Sequence, residues 1–357
     1  MSVVGNGWKN KMGLKIHVLA NDGSPLGVTE RSIYGLDGRM GVGGAELALL
    51  TMCRAWQYYG NSVTLYNNPN DPLASTFKQR SLDDFNPNED RDVLVIFRSP
   101  NERSLHANGK KIWWSCDQQT VGDFRNLAKE VSKIVTISPR HAKYFRDVYG
   151  INNTVTIDLP VRTWEYTRQD IPKQKHNCIF TSMPDRGLNE LHAIWPLILR
   201  EVPDATLTIT SDWRLWADWQ TEEAVLPYRL RWAHNKNINY RAAVNREELI
   251  KIQLGADIHL YPCIYDELFC IAVAESQVAG AFPITSDVGS LGTTNMGRVI
   301  HGNPHDPSWV EVFVKNAVEL LTDPHLDKKQ EYVREVSRKR FSVENIVRLW
   351  EDKVFCD

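Results

Sequence analysis

The chain has 357 residues, enough for two domains of ordinary size. Apolar residues make up 42% and charged residues 24%, which excludes a disordered chain. The net charge of −2 gives no electrostatic footprint for nucleic acid. Cys53, Cys116, Cys178, Cys263, Cys270 and Cys356 share no short repeated spacing, so neither a zinc site nor a disulfide framework is expected, and a reducing cytoplasmic setting fits. The first ten residues lack the apolar core of a signal peptide. No apolar run approaches the roughly 20 residues of a membrane span, which leaves peripheral contact as the one membrane role open.

Residues 14–19 read as a first strand, followed by a loop rich in Gly and Asp that ends in Gly41-Val42-Gly43-Gly44. A helix is predicted over 45–59, stopped by Gly60 and Asn61. Strands follow at 62–66, 92–97, 111–114 and 134–137. Ser138-Pro139 then opens a helix from His141, and 155–159 closes the series before Pro160. Residues 163–176 are polar and read as a linker. The pattern restarts with strands at 178–181, 205–210 and 257–261 and helices at 188–200 and 246–254. Late helices are expected over 310–321, 328–340 and 343–355. Strands alternating with helices imply parallel sheets, here two doubly wound α/β domains facing across a cleft. Ligands in such sheets sit at the carboxyl ends of the strands.

The most informative stretch runs from Pro262 to Asp287. A loop carrying Glu267 leads into an apolar helix that carries Glu275 and ends at Ala279-Gly280, before a strand at 282–287. A helix N-terminus attracts anions, and here it lies between two carboxylates. That combination suits a sugar nucleotide: N–H groups for phosphate and carboxylates for hydroxyls.

These blocks resemble, in order and over nearly the whole chain, family-4 glycosyltransferases of the GT-B type. The resemblance rests on Gly43-Gly44-Ala45-Glu46 after a first strand, Ile137-Ser138, Ser182 to Leu188, Gly255 to Pro262, and Phe341 to Ile346. Its most specific part is the E-x7-E signature, Glu267 through Glu275. The resemblance implies a GT-B architecture of two Rossmann-like domains. Residues 1–165 would form the acceptor side and 175–340 the donor side, with the last helix, 343–357, packing back on the first. It implies a retaining, metal-independent hexosyltransferase that uses a UDP- or GDP-type sugar as donor substrate, needs no cofactor, and acts on a carbohydrate, lipid-linked or other hydroxyl acceptor. Glu267 would contact the donor hexose, and the backbone of Leu268, Phe269, Cys270 and Ile271 the hexose and phosphate. Glu275 would hold the ribose hydroxyls. Ser182 and Arg186 would meet the diphosphate, and the backbone around Arg241 would border the base. The Gly43 and Gly44 loop faces phosphate or acceptor in this reading, or is simply flexible; Arg98 and Asp117 are acceptor-side candidates.

Two positions depart from the family pattern. Thr181 stands where a second cation is usual, and Ser182, backbone amides or Arg214 are its candidate substitutes. Cys116, before Asp117, stands where relatives often show His; His106 and His141 are the nearest alternatives, both read as surface helix or loop residues. These departures keep a non-catalytic sugar-nucleotide-binding protein in view, and an epimerase on the same fold is a second rival. Asp90-Arg91-Asp92 mimics a metal-binding D-x-D but precedes its strand, and His301 with His305 lacks a third ligand. Trp213, Trp216 and Trp219 fall on one helical face, read as packing or as a base platform. Arg229, Arg231, Lys236 and Arg241, interleaved with Tyr228, Trp232 and Tyr240, read as a solvated basic face or a contact for an acidic acceptor.

Overall fold

The computed structural model describes residues 13–20, 27–100, 102–213, 222–233 and 237–356. Seven parallel strands form the first sheet: β1 (Lys15–Leu19), β2 (Ser62–Tyr66), β3 (Lys78–Arg80), β4 (Val93–Phe97), β5 (Lys110–Trp114), β6 (Lys133–Thr136) and β7 (Thr154–Thr156), in the order β3-β2-β1-β4-β5-β6-β7. Six more form the second: β8 (Asn177–Thr181), β9 (Thr206–Thr210), β10 (Ile238–Tyr240), β11 (Ile258–Tyr261), β12 (Phe282–Ser286) and β13 (Arg298–Ile300), in the order β10-β9-β8-β11-β12-β13. Both sheets are doubly wound, as the alternation of strands and helices in the sequence implies.

The central strands are apolar throughout because helices cover both faces. Every residue of β4, Val-Leu-Val-Ile-Phe, is buried. On β5 the two-residue side-chain period sends adjacent tryptophans to opposite faces. Trp114 packs against Trp350 and Trp56, with ring centroids 5.2 and 6.3 Å away, while Trp113 meets Phe145 at 5.2 Å. Trp350 ends the helix Val343–Trp350, so the last helix of the chain lies against the first sheet's helix Gly44–Tyr58. Trp56, Trp113, Trp114, Trp195, Trp232 and Trp350 are all fully buried, so much of the tryptophan content goes to the cores. No described helix is long and apolar enough to cross a membrane.

The stretch expected to be a polar linker begins instead with a docked turn. Thr163–Tyr166 forms a single 3-10 turn, and its Glu165 joins a buried chain of charges. Arg162 Nε lies 2.7 Å from Glu165 Oε1, Arg246 Nη2 lies 2.7 Å from Glu165 Oε2, and Arg246 Nη1 lies 2.7 Å from Glu275 Oε1. All four side chains are nearly inaccessible, at 2–6% exposure. Arg246 starts the helix Arg246–Gly255, whose N-cap Asn245 accepts from Glu248 N–H. The network thus ties the turn after the first sheet to two helices of the second. Arg340 adds a second tie, donating to Asp158 through Nε at 2.6 Å and Nη2 at 3.1 Å.

Arg246→Ala would leave two buried carboxylates short of their shared cation, an uncompensated burial that typically costs about 3–5 kcal/mol. Urea denaturation is expected to show a loss of that order, where an exposed pair such as Lys251–Glu247 would lose well under about 1 kcal/mol.

Candidate functional site

In each sheet the strand order reverses between two neighbours, β1 and β4 in the first and β8 and β11 in the second. Loops leaving the carboxyl ends of such a pair diverge and leave a crevice. After β8 comes Ser182 to Arg186; after β11 comes the loop from Pro262 to Cys270, then the helix Ile271–Ala279. The first sheet contributes Gly44 from the helix after β1, Arg98 after β4, and Asp117 after β5. These segments line one cavity of about 330 Å³. Of the residues singled out in the sequence, Glu267, Arg186, Ser182, Leu268, Phe269, Cys270, Ile271, Gly44, Arg98 and Asp117 all border it.

Glu267 is fixed from three directions. The Tyr261 hydroxyl donates to Oε1 at 2.7 Å, and Ser182 Oγ lies 3.1 Å from the same hydroxyl. Ser290 N–H donates to the Glu267 carbonyl at 2.7 Å. Gly289, at φ +66°, packs so closely that an added Cβ would lie 2.3 Å from the Glu267 carbonyl oxygen and 2.4 Å from its nitrogen. Burial pushes the Glu267 carboxyl above its usual range, opposed by the Arg186 charge and by hydrogen bonds from Tyr261 and the Cys270 thiol.

Arg186 lies flat on Tyr265, its guanidinium carbon 3.2 Å from the ring centroid. Its Nη1 is buried and has no hydrogen-bond partner among the described residues. Its Nε lies 3.4 Å from Asp185 Oδ1. A cation that borders the cavity, rests on a ring and keeps an N–H without a partner can receive an anion. Two helix N-termini add to the field. The helices Gly44–Tyr58 and Ile271–Ala279 begin so near each other that a Cβ on Gly44 would lie 2.7 Å from Ile271 Cγ2. Only glycine permits that approach, which brings two positive helix ends to one cavity.

On the opposite wall Arg98 sits at φ +66° and is held by two acids. Nη1 lies 3.0 Å from Glu46 Oε1, and Nε lies 2.9 Å from Asp117 Oδ2. Cys116 lines the cavity beside them. His141 is a fully buried residue, contrary to the expectation of a surface position. Its Nδ1 accepts from Ile137 N–H at 3.3 Å, so Nε2 is the protonated nitrogen and donates to the Asp117 carbonyl at 3.1 Å. Burial lowers its pKa to about 4, so it stays neutral and shapes the loop that carries Asp117. His106 is exposed, as expected.

Three singled-out residues stand outside the cavity lining. Gly43 caps the first-sheet helix one residue short of it. Glu275 is 3% exposed and faces Arg246, which satisfies its charge from the far side of its helix. Arg241 turns to Glu248 and lines a separate pocket of about 410 Å³ with Asp170 and Lys251. Asp90 pairs with Lys15 at 2.8 Å and Asp92 accepts from Lys15 N–H at 2.7 Å, both at the amino ends of their strands and away from the cavity. His301 pairs with Asp287 and His305 lies near Glu190, so the two do not share a partner. Arg229 and Arg231 are exposed while Trp232 is buried against His192. Trp213 is partly buried. Arg214, Trp216, Trp219 and Lys236 lie outside the described residues.

Reading the sequence alone misses Tyr261, Tyr265 and Asp266. Tyr261 ends β11 and passes for a core strand residue, since its ring is buried and only its hydroxyl reaches Glu267. Its one available signal was a phenol at a strand's carboxyl end, where ligands gather.

No protein-family model and no curated protein matches this sequence. The fold does match solved structures. A glycosyltransferase from Rickettsia africae is similar at TM-score 0.67 and 13% identity, over 96% of this chain and 98% of that one. The sucrose-phosphate synthase of Thermosynechococcus elongatus gives TM-score 0.67 and 13% identity over 96% and 99%. The Anabaena protein HepE, solved with UDP and glucose, gives TM-score 0.66 and 12% identity over 96% and 100%. The fold is therefore that of the GT-B glycosyltransferases, two facing doubly wound domains, matched over 96% of the chain.

Tyr261→Phe removes a donor to the ionised Glu267, so the carboxyl pKa rises further and any activity needing the carboxylate loses its acidic limb at higher pH. A pH–rate profile checks this; an unmoved limb contradicts it. Gly289→Ala forces the Glu267 backbone to move, and a fall in turnover of at least about a hundredfold is expected, at a level of folding checked by circular dichroism.

Proposed function

We propose that this chain is a glycosyltransferase that moves a hexose from a nucleotide-diphosphate sugar to a hydroxyl acceptor, with retention of anomeric configuration. The observation that carries the reading is Arg186. It keeps a buried Nη1 without a partner and borders a cavity that Glu267 also lines, at the converging N-termini of two helices. The fold shared with glycosyltransferases, one of them solved with UDP and glucose, supports it.

In this mechanism the diphosphate lies against Arg186 and the N–H groups that open the helix Ile271–Ala279. Charge developing on the leaving phosphate is stabilised there, in a site arranged before the reaction begins. Glu267, oriented by Tyr261, accepts from hexose hydroxyls and sets the sugar against the acceptor side. The acceptor enters past Arg98 and Asp117, and its proton passes to the leaving phosphate on the same face. No carboxylate nucleophile is required for that route. The Gly44 end of the first-sheet helix adds its dipole to the phosphate field. The Glu275 ion pair with Arg246 competes with the ribose role implied by the resemblance, because separating a buried pair typically costs about 3–5 kcal/mol. The donor class is UDP or GDP, and the setting cytoplasmic.

Binding without turnover is the second reading, and one observation favours it: Arg98, the other cation of the cavity, is neutralised by Glu46 and Asp117. Thr181 is buried and supplies no charge. A thermal-shift panel of UDP- and GDP-hexoses, followed by donor hydrolysis with the best of them, separates the two. The enzyme reading predicts slow hydrolysis in the wild type and losses of at least about a hundredfold in Glu267→Ala and Arg186→Ala. Stabilisation with no hydrolysis over long incubation would establish the binding reading instead.

A further inference from the structure

The loop that carries Glu267 is gripped from the opposite domain. Asp266 lies between Tyr265, which supports Arg186, and Glu267. Arg140 donates to it through two nitrogens, Nε to Oδ1 at 3.1 Å and Nη2 to Oδ2 at 2.7 Å. Gln118 Nε2 donates to the same Oδ2 at 2.9 Å. Both donors belong to the first domain, where Arg140 is the second residue of the helix Pro139–Tyr144, capped by Ser138. The backbone near both is itself held. His141 Nε2 donates to the Asp117 carbonyl at 3.1 Å, and the Tyr149 hydroxyl donates to the Gln118 carbonyl at 2.8 Å.

From this geometry we propose that Arg140 and Gln118 are positioning residues for Glu267, acting across the cleft through Asp266. A paired guanidinium and carboxylate fixes orientation as well as distance. Three consecutive side chains then have three separate anchors: Tyr265 on Arg186, Asp266 on the first domain, and Glu267 on Tyr261. The Arg140–Asp266 contact differs in kind from the buried charge chain. The Arg162–Glu165–Arg246–Glu275 chain is buried at 2–6% exposure, whereas Arg140 and Asp266 are 40% and 31% exposed. Exposed pairs are weak and exchange readily with water, and buried ones do not. The chain of charges is therefore the lasting joint, and the Arg140–Asp266 pair is a clasp that opens and closes with the cleft. Glu267 takes its working position when the clasp is made.

The inference rests on the proposed role of Glu267, and its test separates the two. Hydrogen exchange of segment 262–270 is measured in the full chain without nucleotide, together with kcat and KM for hydrolysis of the donor that the thermal-shift panel selects. Arg140→Ala and Asp266→Ala are each expected to speed exchange in that segment and to lower kcat about tenfold, with KM within about threefold. The double variant falls no further than Asp266→Ala, because that substitution already removes the Arg140 pair. Arg140→Lys recovers most of the loss. Unchanged exchange in Arg140→Ala, which alters only the other domain, would overturn the clasp, as would multiplying losses in the double variant. If the wild type hydrolyses no donor, the proposed function fails while the exchange result still decides the clasp.

Discussion

The buried run of alternating charges Arg162, Glu165, Arg246 and Glu275 is the constraint on which the two-domain arrangement depends. Each carboxylate and guanidinium in it has a partner at 2.7 Å and almost no water. Moving any one member would expose a bare charge in a low-dielectric setting, so the turn after the first sheet and the helices of the second are locked in mutual register. That register sets the two helix N-termini against each other and gives the cavity both of its walls. It also decides the fate of Glu275. The residue that the signature offers to a ligand is drawn into the joint, and the helix that carries it is anchored at its second turn while its first turn faces the cavity.

The cavity itself follows from strand order. Doubly wound sheets open a crevice wherever neighbouring strands send their connections to opposite sides, and this chain has two such crevices facing one another. Chemistry at the crevice is built from short-range fixtures: a phenol at the end of β11, an aromatic ring beneath a guanidinium, and a glycine pressed against the backbone of Glu267. Each restrains a polar group by a hydrogen bond or by packing, without a close bidentate ion pair. Arg186 consequently keeps an unpaired N–H, and Glu267 is held mainly by hydrogen bonds. The wall from the first sheet is the opposite case, with Arg98 clasped by Glu46 and Asp117.

Much of this was legible in the sequence. The strong apolar runs at β1, β4 and β11 marked their strands, and the resemblance singled out Glu267 and Arg186, which the fold brings to one cavity. What was not legible falls into two kinds. Short strands at or near sheet edges, such as β3 with Lys78, Gln79 and Arg80, carry no apolar period, so their existence is set by the neighbour they pair with. Partner choice is likewise invisible. Nothing at Glu275 announces Arg246, nothing at Asp266 announces Arg140, and Arg241 near the expected base site turns to Glu248. Long-range charge pairing is decided by which helix lands beside which, and a periodicity within one element says nothing of that. His141 shows the same point in reverse: a polar residue early in a short helix reads as exposed, yet both of its ring nitrogens are satisfied inside the domain.

The central claim is that Arg186 and the start of the helix Ile271–Ala279 form the diphosphate site. A crystal structure of the chain with UDP bound tests it most directly. The account predicts phosphate oxygens within about 3 Å of Arg186 Nη1 and of the first N–H groups of that helix, in the cavity lined by Glu267. UDP seated outside this cavity, or inside it with its phosphates turned away from Arg186, would contradict the account.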